Sequence, residues 1–226
     1  LVKITDSAET ENKVSLEAPM PVGDLKRDFA NKQNFKLTAL HHPDIKKAGV
    51  YALADATRRV FYVGQCIEST QGMGGRIQRH LTCGRSDPMA KQKIDPAEIA
   101  YAMIYPSPGS NKDELSRIEE QVTRQYMDDG HPIMAAYRPK PAKRVVEIPT
   151  CNVIQLLPDD DIADQSKLDN YLLHQQEMLL RVTRYYLDTD ASAAMNDAIR
   201  YRQTLVNDLL DQLPKERKHK QGKSLS

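Results

Sequence analysis

The chain has 226 residues, and 32 Lys and Arg against 31 Asp and Glu leave a formal charge of +1, so attraction to a polyanion must come from local basic patches. Its three cysteines, Cys66, Cys83 and Cys151, are widely spaced and form no Cys-x-x-Cys pair, which argues against a disulfide framework and a zinc knuckle and suits a reducing cytoplasm. No apolar run approaches the roughly 18 residues of a membrane span, and the N-terminus lacks the basic-then-apolar order of a secretory signal, so a cytoplasmic protein with no membrane partner is expected.

Residues 1–20 are polar and mixed, without a sustained period, and read as a lead-in arm. Val22, Leu25 and Phe29 then give a helical spacing over residues 22–35. His41 and His42, adjacent in a loop before Pro43, read as loop residues rather than metal ligands. Residues 50–54 and 59–63 are rich in β-branched and aromatic side chains, and residues 55–58 between them suit a four-residue hairpin loop. In that register Ala54 faces Arg59 and Tyr51 faces Tyr62. The period of two then puts both tyrosines with Leu53 and Val60 on one face, and Val50, Ala52, Phe61 and Val63 on the other. A glycine-loosened loop follows up to Gly75. From Arg76 a helix is expected with Ile77 and Leu81 inward and with Arg76 and His80, four residues apart, on a common face.

Residues 83–96 form a polar linker broken by Gly84, Pro88 and Pro96. Residues 98–105 read as a third strand, with Ile99, Tyr101, Met103 and Tyr105 on one face. An amphipathic helix over residues 113–127 follows, its stripe made by Leu115, Ile118, Val122 and Tyr126. Within residues 136–147, Arg138, Lys140, Lys143 and Arg144 make a basic strip that suits either a phosphate-backbone track or a solvated linker. Asp159, Asp160 and Asp161 mark a boundary. Beyond it, Leu168, Tyr171, Leu172, Leu179, Val182 and Tyr186 form one stripe, and Met195, Ala198, Ile199, Leu205, Val206, Leu209 and Leu213 a second. An αα-hairpin results, whose apolar faces need the sheet domain, the N-terminal helix or a second subunit as partner. The basic tail from Lys215 reads as a solvated terminus.

Gly49-Val50-Tyr51, then ten residues to Tyr62-Val63-Gly64, then Arg76 and His80 on one helical face, together resemble the GIY-YIG nuclease family over residues 46–135. The resemblance implies an α/β (α+β) domain with a small three-stranded antiparallel sheet flanked by helices. The expected organisation is an N-terminal arm with one helix (1–45), the nuclease domain (46–150), a C-terminal helical hairpin (151–214) and a basic tail (215–226).

The family carries a carboxylate for a divalent metal on the helix after the third strand, where three glutamates compete. At about 100° per residue, Glu119 lies about 55° from the middle of the apolar stripe, Glu114 about 85° and Glu120 about 155°, so Glu119 is the one able to reach inward. Many members carry an asparagine about a dozen residues further on; here His131 holds that place and is a candidate substitute.

The roles implied are Tyr51 as proton acceptor or relay for the attacking water and Tyr62 as its positioner. Arg76 binds the non-bridging phosphoryl oxygens, His80 hydrogen-bonds a tyrosine or the phosphate, and Glu119 holds one hydrated Mg²⁺, with Mn²⁺ able to substitute. Arg79 joins the basic strip as a nucleic-acid contact. The implied activity is metal-dependent DNA endonuclease cleavage of restriction or mobile-element type, leaving a 5′-phosphate and a 3′-hydroxyl, with RNA left open as a substrate. A homodimer through the C-terminal helices would supply a second active site. The alternative is a catalytically inactive nucleic-acid-binding or protein-interaction module on the same fold.

Overall fold

The computed structural model describes residues 31–32, 34–67, 71–82, 95–134, 146–188 and 193–223, side chains at 188, 193–194 and 216–223 excepted. Most of the expected arm and its helix, residues 83–94 of the linker, and the strip of Arg138, Lys140, Lys143 and Arg144 lie outside the described residues, as do the side chains of the tail beyond Lys215. The elements run β1 (Gly49–Ala54), β2 (Val60–Cys66), α1 (Gly72–Leu81), β3 (Tyr101–Pro106), α2 (Lys112–Asp128), β4 (Asn152–Gln155), α3 (Asp159–Gln165), α4 (Leu168–Asp188) and α5 (Ala193–Lys223).

The strands form one sheet in the order β2-β1-β3-β4, every neighbouring pair antiparallel. The sheet therefore has four strands rather than the expected three. The added strand is four residues long and only Ile154 in it is buried, so it carries too short an alternation to be read from sequence. β1, with β2 on one side and β3 on the other, is buried at all six positions.

The β1–β2 register also departs from expectation. Asp55 N–H donates to Arg59 O and Arg58 N–H to Asp55 O, at 3.1 and 2.9 Å, and Arg58 takes the left-handed region at φ +62°, so the loop is tighter than four residues. Tyr62 then faces Leu53 and Val60 faces Ala54, which leaves Phe61 as the extra residue of a β-bulge. Tyr51 consequently faces Gly64 instead of Tyr62. A shift of two residues keeps both tyrosines on one face, as diagonal neighbours with ring centroids 6.3 Å apart. The bulge also exchanges Phe61 and Val60: Phe61 joins the core of Tyr51 and Leu53, and Val60 joins that of Val50 and Ala52.

Each face of the sheet carries a helix. Met73, Ile77 and Leu81 of α1 pack with Tyr51, Leu53 and Phe61, while Ile118 and Val122 of α2 pack with Val50, Ala52 and Val60. α1 begins at Gly72, four residues before the expected start, because Met73 is fully buried and its N–H donates to Lys47 O; tertiary contact here overrides the low helix propensity of three glycines. α4 and α5 form the expected hairpin around Tyr171, Leu172, Leu205, Val206 and Leu209, and they insert Met178, Val182, Met195 and Ala198 into the core on the α1 side. Of the three partners open to the hairpin, the sheet core is thus one that it uses.

The hairpin is also tied to the β1–β2 turn by polar contacts. Asp55 Oδ1 accepts from Thr57 N–H, Thr57 Oγ1 and Arg59 N–H, and its Oδ2 accepts from Tyr171 Oη at 3.0 Å. Arg59 donates to Tyr171 Oη at 2.9 Å and Tyr201 Oη at 3.2 Å. An Asp55→Ala variant strands several of these donors at once. It is expected to lose about 2–4 kcal/mol of unfolding free energy, read as a lowered urea midpoint with an unchanged slope.

Candidate active site

The sheet brings the two tyrosines to one place through the glycine that faces the first of them. A Cβ at Gly64 would stand 2.8 Å from Tyr51 Oη and 3.0 Å from Tyr62 Cε1, so any larger residue would occupy the space the two rings share. Gly49, two residues before Tyr51 on the same ladder, is equally constrained: a Cβ there would meet Tyr105 O on β3 at 2.3 Å. The two glycines of the triplets are thus needed by different neighbours, one by a strand backbone and the other by a phenol.

α1 supplies the next two groups. His80 is 4% exposed, and its Nε2 lies 2.7 Å from Tyr51 Oη, while Tyr62 meets the imidazole edge-on at a centroid distance of 4.8 Å. Arg76, one turn earlier, is exposed at the rim. α2 approaches from the opposite face of the sheet and contributes Glu119, which is partly buried. The groups meet across β2, the edge strand, at the notch left by Gly64. Tyr51, Tyr62, Arg76, His80 and Glu119 all line this one cleft of about 170 Å³, together with Gln65 and Arg79. Of the three glutamates that compete on α2, Glu119 is the one that lines it.

Burial pushes the Glu119 carboxyl up to about 7, and the neighbouring charge of Glu120 adds to the shift; a hydrogen bond from Gln65 and the positive charge of Arg76 hold it back. Gln65 Nε2 also donates to Ser116 Oγ at 3.0 Å, and Gln65 Oε1 is buried without a hydrogen-bond partner. An acceptor left in that state costs about 1–3 kcal/mol. Among the described residues no group of three or more His, Cys, Asp and Glu side chains is arranged as metal ligands. A cation at this cleft would therefore rest on Glu119 and nearby neutral oxygens. One carboxylate with uncharged oxygens and water is a donor set that fits a hard, strongly hydrated ion such as Mg²⁺.

A second, larger cleft of about 500 Å³ shares Gln65, Arg76 and Arg79 with the first and is also lined by Lys112. Lys112 and Gln65 had no signal in the sequence beyond lying next to recognisable elements, Gln65 directly after the second triplet and Lys112 at the start of α2. His131 does not join the cleft. Its Nδ1 accepts from Val60 N–H at 3.0 Å, its ring meets Tyr126 edge-on at 5.0 Å, and burial lowers its pKa; it lines a separate pocket with Tyr201 and Asp197. The nearest downstream asparagine, Asn152, donates to Asp44 Oδ2 at 3.0 Å from β4. Neither residue takes the place of the family's asparagine in the cleft.

No family model, no curated protein and no solved structure matches the chain.

The raised Glu119 pKa has a signed consequence for stability. The carboxyl holds its proton more tightly in the folded chain than in the unfolded one, where it titrates near 4.5. Its contribution is therefore fully present below about pH 4.5 and is lost as the pH rises to about 7. Glu119→Gln should remove this dependence. The variant is expected to exceed wild type by up to about 3 kcal/mol above pH 7, with the gap closing towards pH 4, as measured by urea unfolding across that range.

Proposed function

We propose that the chain is a metal-dependent endonuclease of the GIY-YIG type that hydrolyses DNA phosphodiester bonds to a 5′-phosphate and a 3′-hydroxyl. The observation that carries this reading is the single cleft lined by Tyr51, Tyr62, Arg76, His80 and Glu119, residues that arrive from two strands and from helices on opposite faces of the sheet. Each group on its own is common, but together they meet the three needs of phosphodiester hydrolysis: an activated water, neutralised phosphoryl oxygens and a stabilised leaving oxygen.

In this reading the attacking water transfers a proton to Tyr51 Oη as its oxygen bonds to phosphorus. Tyr51 passes its own proton to His80 Nε2, 2.7 Å away, which requires the imidazole tautomer protonated at Nδ1. Tyr62 orients the water, and the Arg76 guanidinium neutralises the non-bridging oxygens. The bond from phosphorus to the 3′ oxygen breaks, and solvent protonates the departing oxygen. A bound Mg²⁺ or Mn²⁺ would supply Lewis-acid stabilisation of that oxygen, and Glu119 must be ionised to hold it.

Arg79 and Lys112 line the adjoining cleft, where a flanking phosphate of the substrate strand would find positive charge. No helix among the described residues is long and apolar enough to cross a membrane. The free thiols of Cys66 and Cys151 suit the cytoplasm.

Supercoiled plasmid incubated with the purified chain should be nicked or linearised only when Mg²⁺ or Mn²⁺ is added. Arg76→Ala is expected to lower the rate on the order of 10²–10³-fold, and Glu119→Ala to abolish the metal-dependent cleavage. At sub-saturating Mg²⁺ the wild-type rate should rise between pH 6 and pH 8, because the proton on Glu119, lost near 7 in the metal-free cleft, competes with the cation. Failure to cut any DNA or RNA substrate would transfer the cleft to the binding-module alternative.

One cleft cuts one strand at a time, and a second copy would supply the other. Leu173, Leu180 and Leu187 recur every seven residues on α4 and are 59%, 60% and 76% exposed, a stripe suited to a homodimer. Sedimentation equilibrium should show a dimer that Leu180→Glu dissociates; a wild-type monomer at all concentrations would remove this part of the reading.

A further inference from the structure

Gln65 lines the cleft and has no role in the hydrolysis described above. It lies on β2 and points towards α2, where Ser116 and Glu119, three residues apart, occupy one helical face. The carboxamide has two N–H donors and one oxygen. Its nitrogen donates to Ser116 Oγ at 3.0 Å, and the side chain lines the same cleft as Glu119. The bond to Ser116 holds the nitrogen end of the planar amide. The oxygen is left on the far side of the carboxamide carbon, buried and without a partner.

The chemistry of that oxygen restricts what can meet it. It accepts and cannot donate, so a phosphate oxygen is excluded as its partner; a cation, or the water of a hydrated cation, is suited to it. The cleft that Gln65 lines also holds the metal-fitting carboxylate, Glu119. A neutral oxygen fixed beside one carboxylate adds a ligand without adding charge, which leaves the site compatible with an approaching phosphodiester.

Resting on the nuclease reading, we infer that Gln65 is a positioning residue for the divalent cation: Oε1 supplies the second protein oxygen of the shell begun by Glu119, while Ser116 holds the amide in the orientation that this requires. Ser116 thereby acts on the cation through Gln65, and Gln65 ties the occupancy of the cleft to the packing of α2 on the edge strand.

The test is Mn²⁺ binding to the purified chain in the absence of nucleic acid, followed through the electron paramagnetic resonance signal of free hexaaqua Mn²⁺. Wild type, Glu119→Gln, Gln65→Leu and Gln65→Glu are compared, with thermal unfolding of each as a check on folding. Glu119→Gln should abolish the site. Gln65→Leu, which keeps the volume and removes the oxygen, should weaken binding about 10-fold or more, and Gln65→Glu, which restores an oxygen, should recover it. If Gln65→Leu unfolds too readily to assay, recovery in Gln65→Glu together with loss in Gln65→Ala serves the same purpose. Unchanged Mn²⁺ affinity in a folded Gln65→Leu that has lost thermal stability would overturn the inference, making Gln65 a tether between β2 and α2, and would leave the nuclease reading standing. Absence of any Glu119-dependent Mn²⁺ site in wild type would overturn it together with the metal-dependent reading, an outcome distinguished by plasmid cleavage that likewise fails.

Discussion

The close approach of Tyr51 to Gly64 across the β1–β2 ladder is the contact on which the cleft depends. Tyr51 is 2% exposed, on a strand buried at every position, so its phenol has little freedom to move and its hydroxyl is held against His80. The bare backbone of Gly64 leaves the space into which the ring leans, and it does so on the edge strand, where the sheet ends. A side chain at this position would fill the notch and separate the helix on one face from the carboxylate on the other. The Phe61 bulge sets the register that makes Gly64, rather than Tyr62, the residue opposite Tyr51.

The location of the notch explains the electrostatics. α1 and α2 lie on opposite faces of the sheet, and an edge strand is the one place where side chains from both can meet without passing through the core. Glu119 reaches this place at the margin of the α2 apolar stripe, and the partial burial that it accepts there pushes its carboxyl up to about 7. Arg76, rooted on the other helix, opposes that shift. An acid poised near neutrality beside a guanidinium is sensitive to any added charge, and a cation or a phosphate entering the cleft would change its ionisation.

The C-terminal helices act as part of the same body. Met178, Val182, Met195 and Ala198 enter the core beneath α1, and Tyr171, Gln175 and Tyr201 close over the β1–β2 turn. Beneath them Arg202 is almost wholly buried and donates to Gln175 Oε1 at 2.7 Å, while burial pushes nearby Glu98 up to about 8 despite the charges of Arg202 and Arg181. Such buried charged groups depend on their partners, since removing one leaves the other without compensation. The turn that fixes the tyrosine register is therefore held from outside the sheet, through Asp55.

By itself, the sequence determined the local elements and the face on which the cleft residues stand. The period of two put Tyr51 and Tyr62 on one side, the spacing of four put Arg76 with His80, and the angular position of Glu119 on its stripe pointed it inward; all five line one cleft. These are properties of a chain's own geometry and need no partner to be defined. Register, strand count and polar pairing depend on other segments, and only the tertiary structure decided them. The bulge at Phe61 exchanged two residues between faces because β2 had to meet both the tight Asp55 turn and the β1 ladder. The four-residue β4 exists as a strand because β3 offers it a free edge. His131, spaced as the family's asparagine would be, caps Val60 instead, because the chain after α2 runs along β2 at Val60 and Phe61. Gln65 acquired its place between Ser116 and Glu119 only when α2 packed on the edge strand, a contact between residues about fifty positions apart that no local pattern encodes.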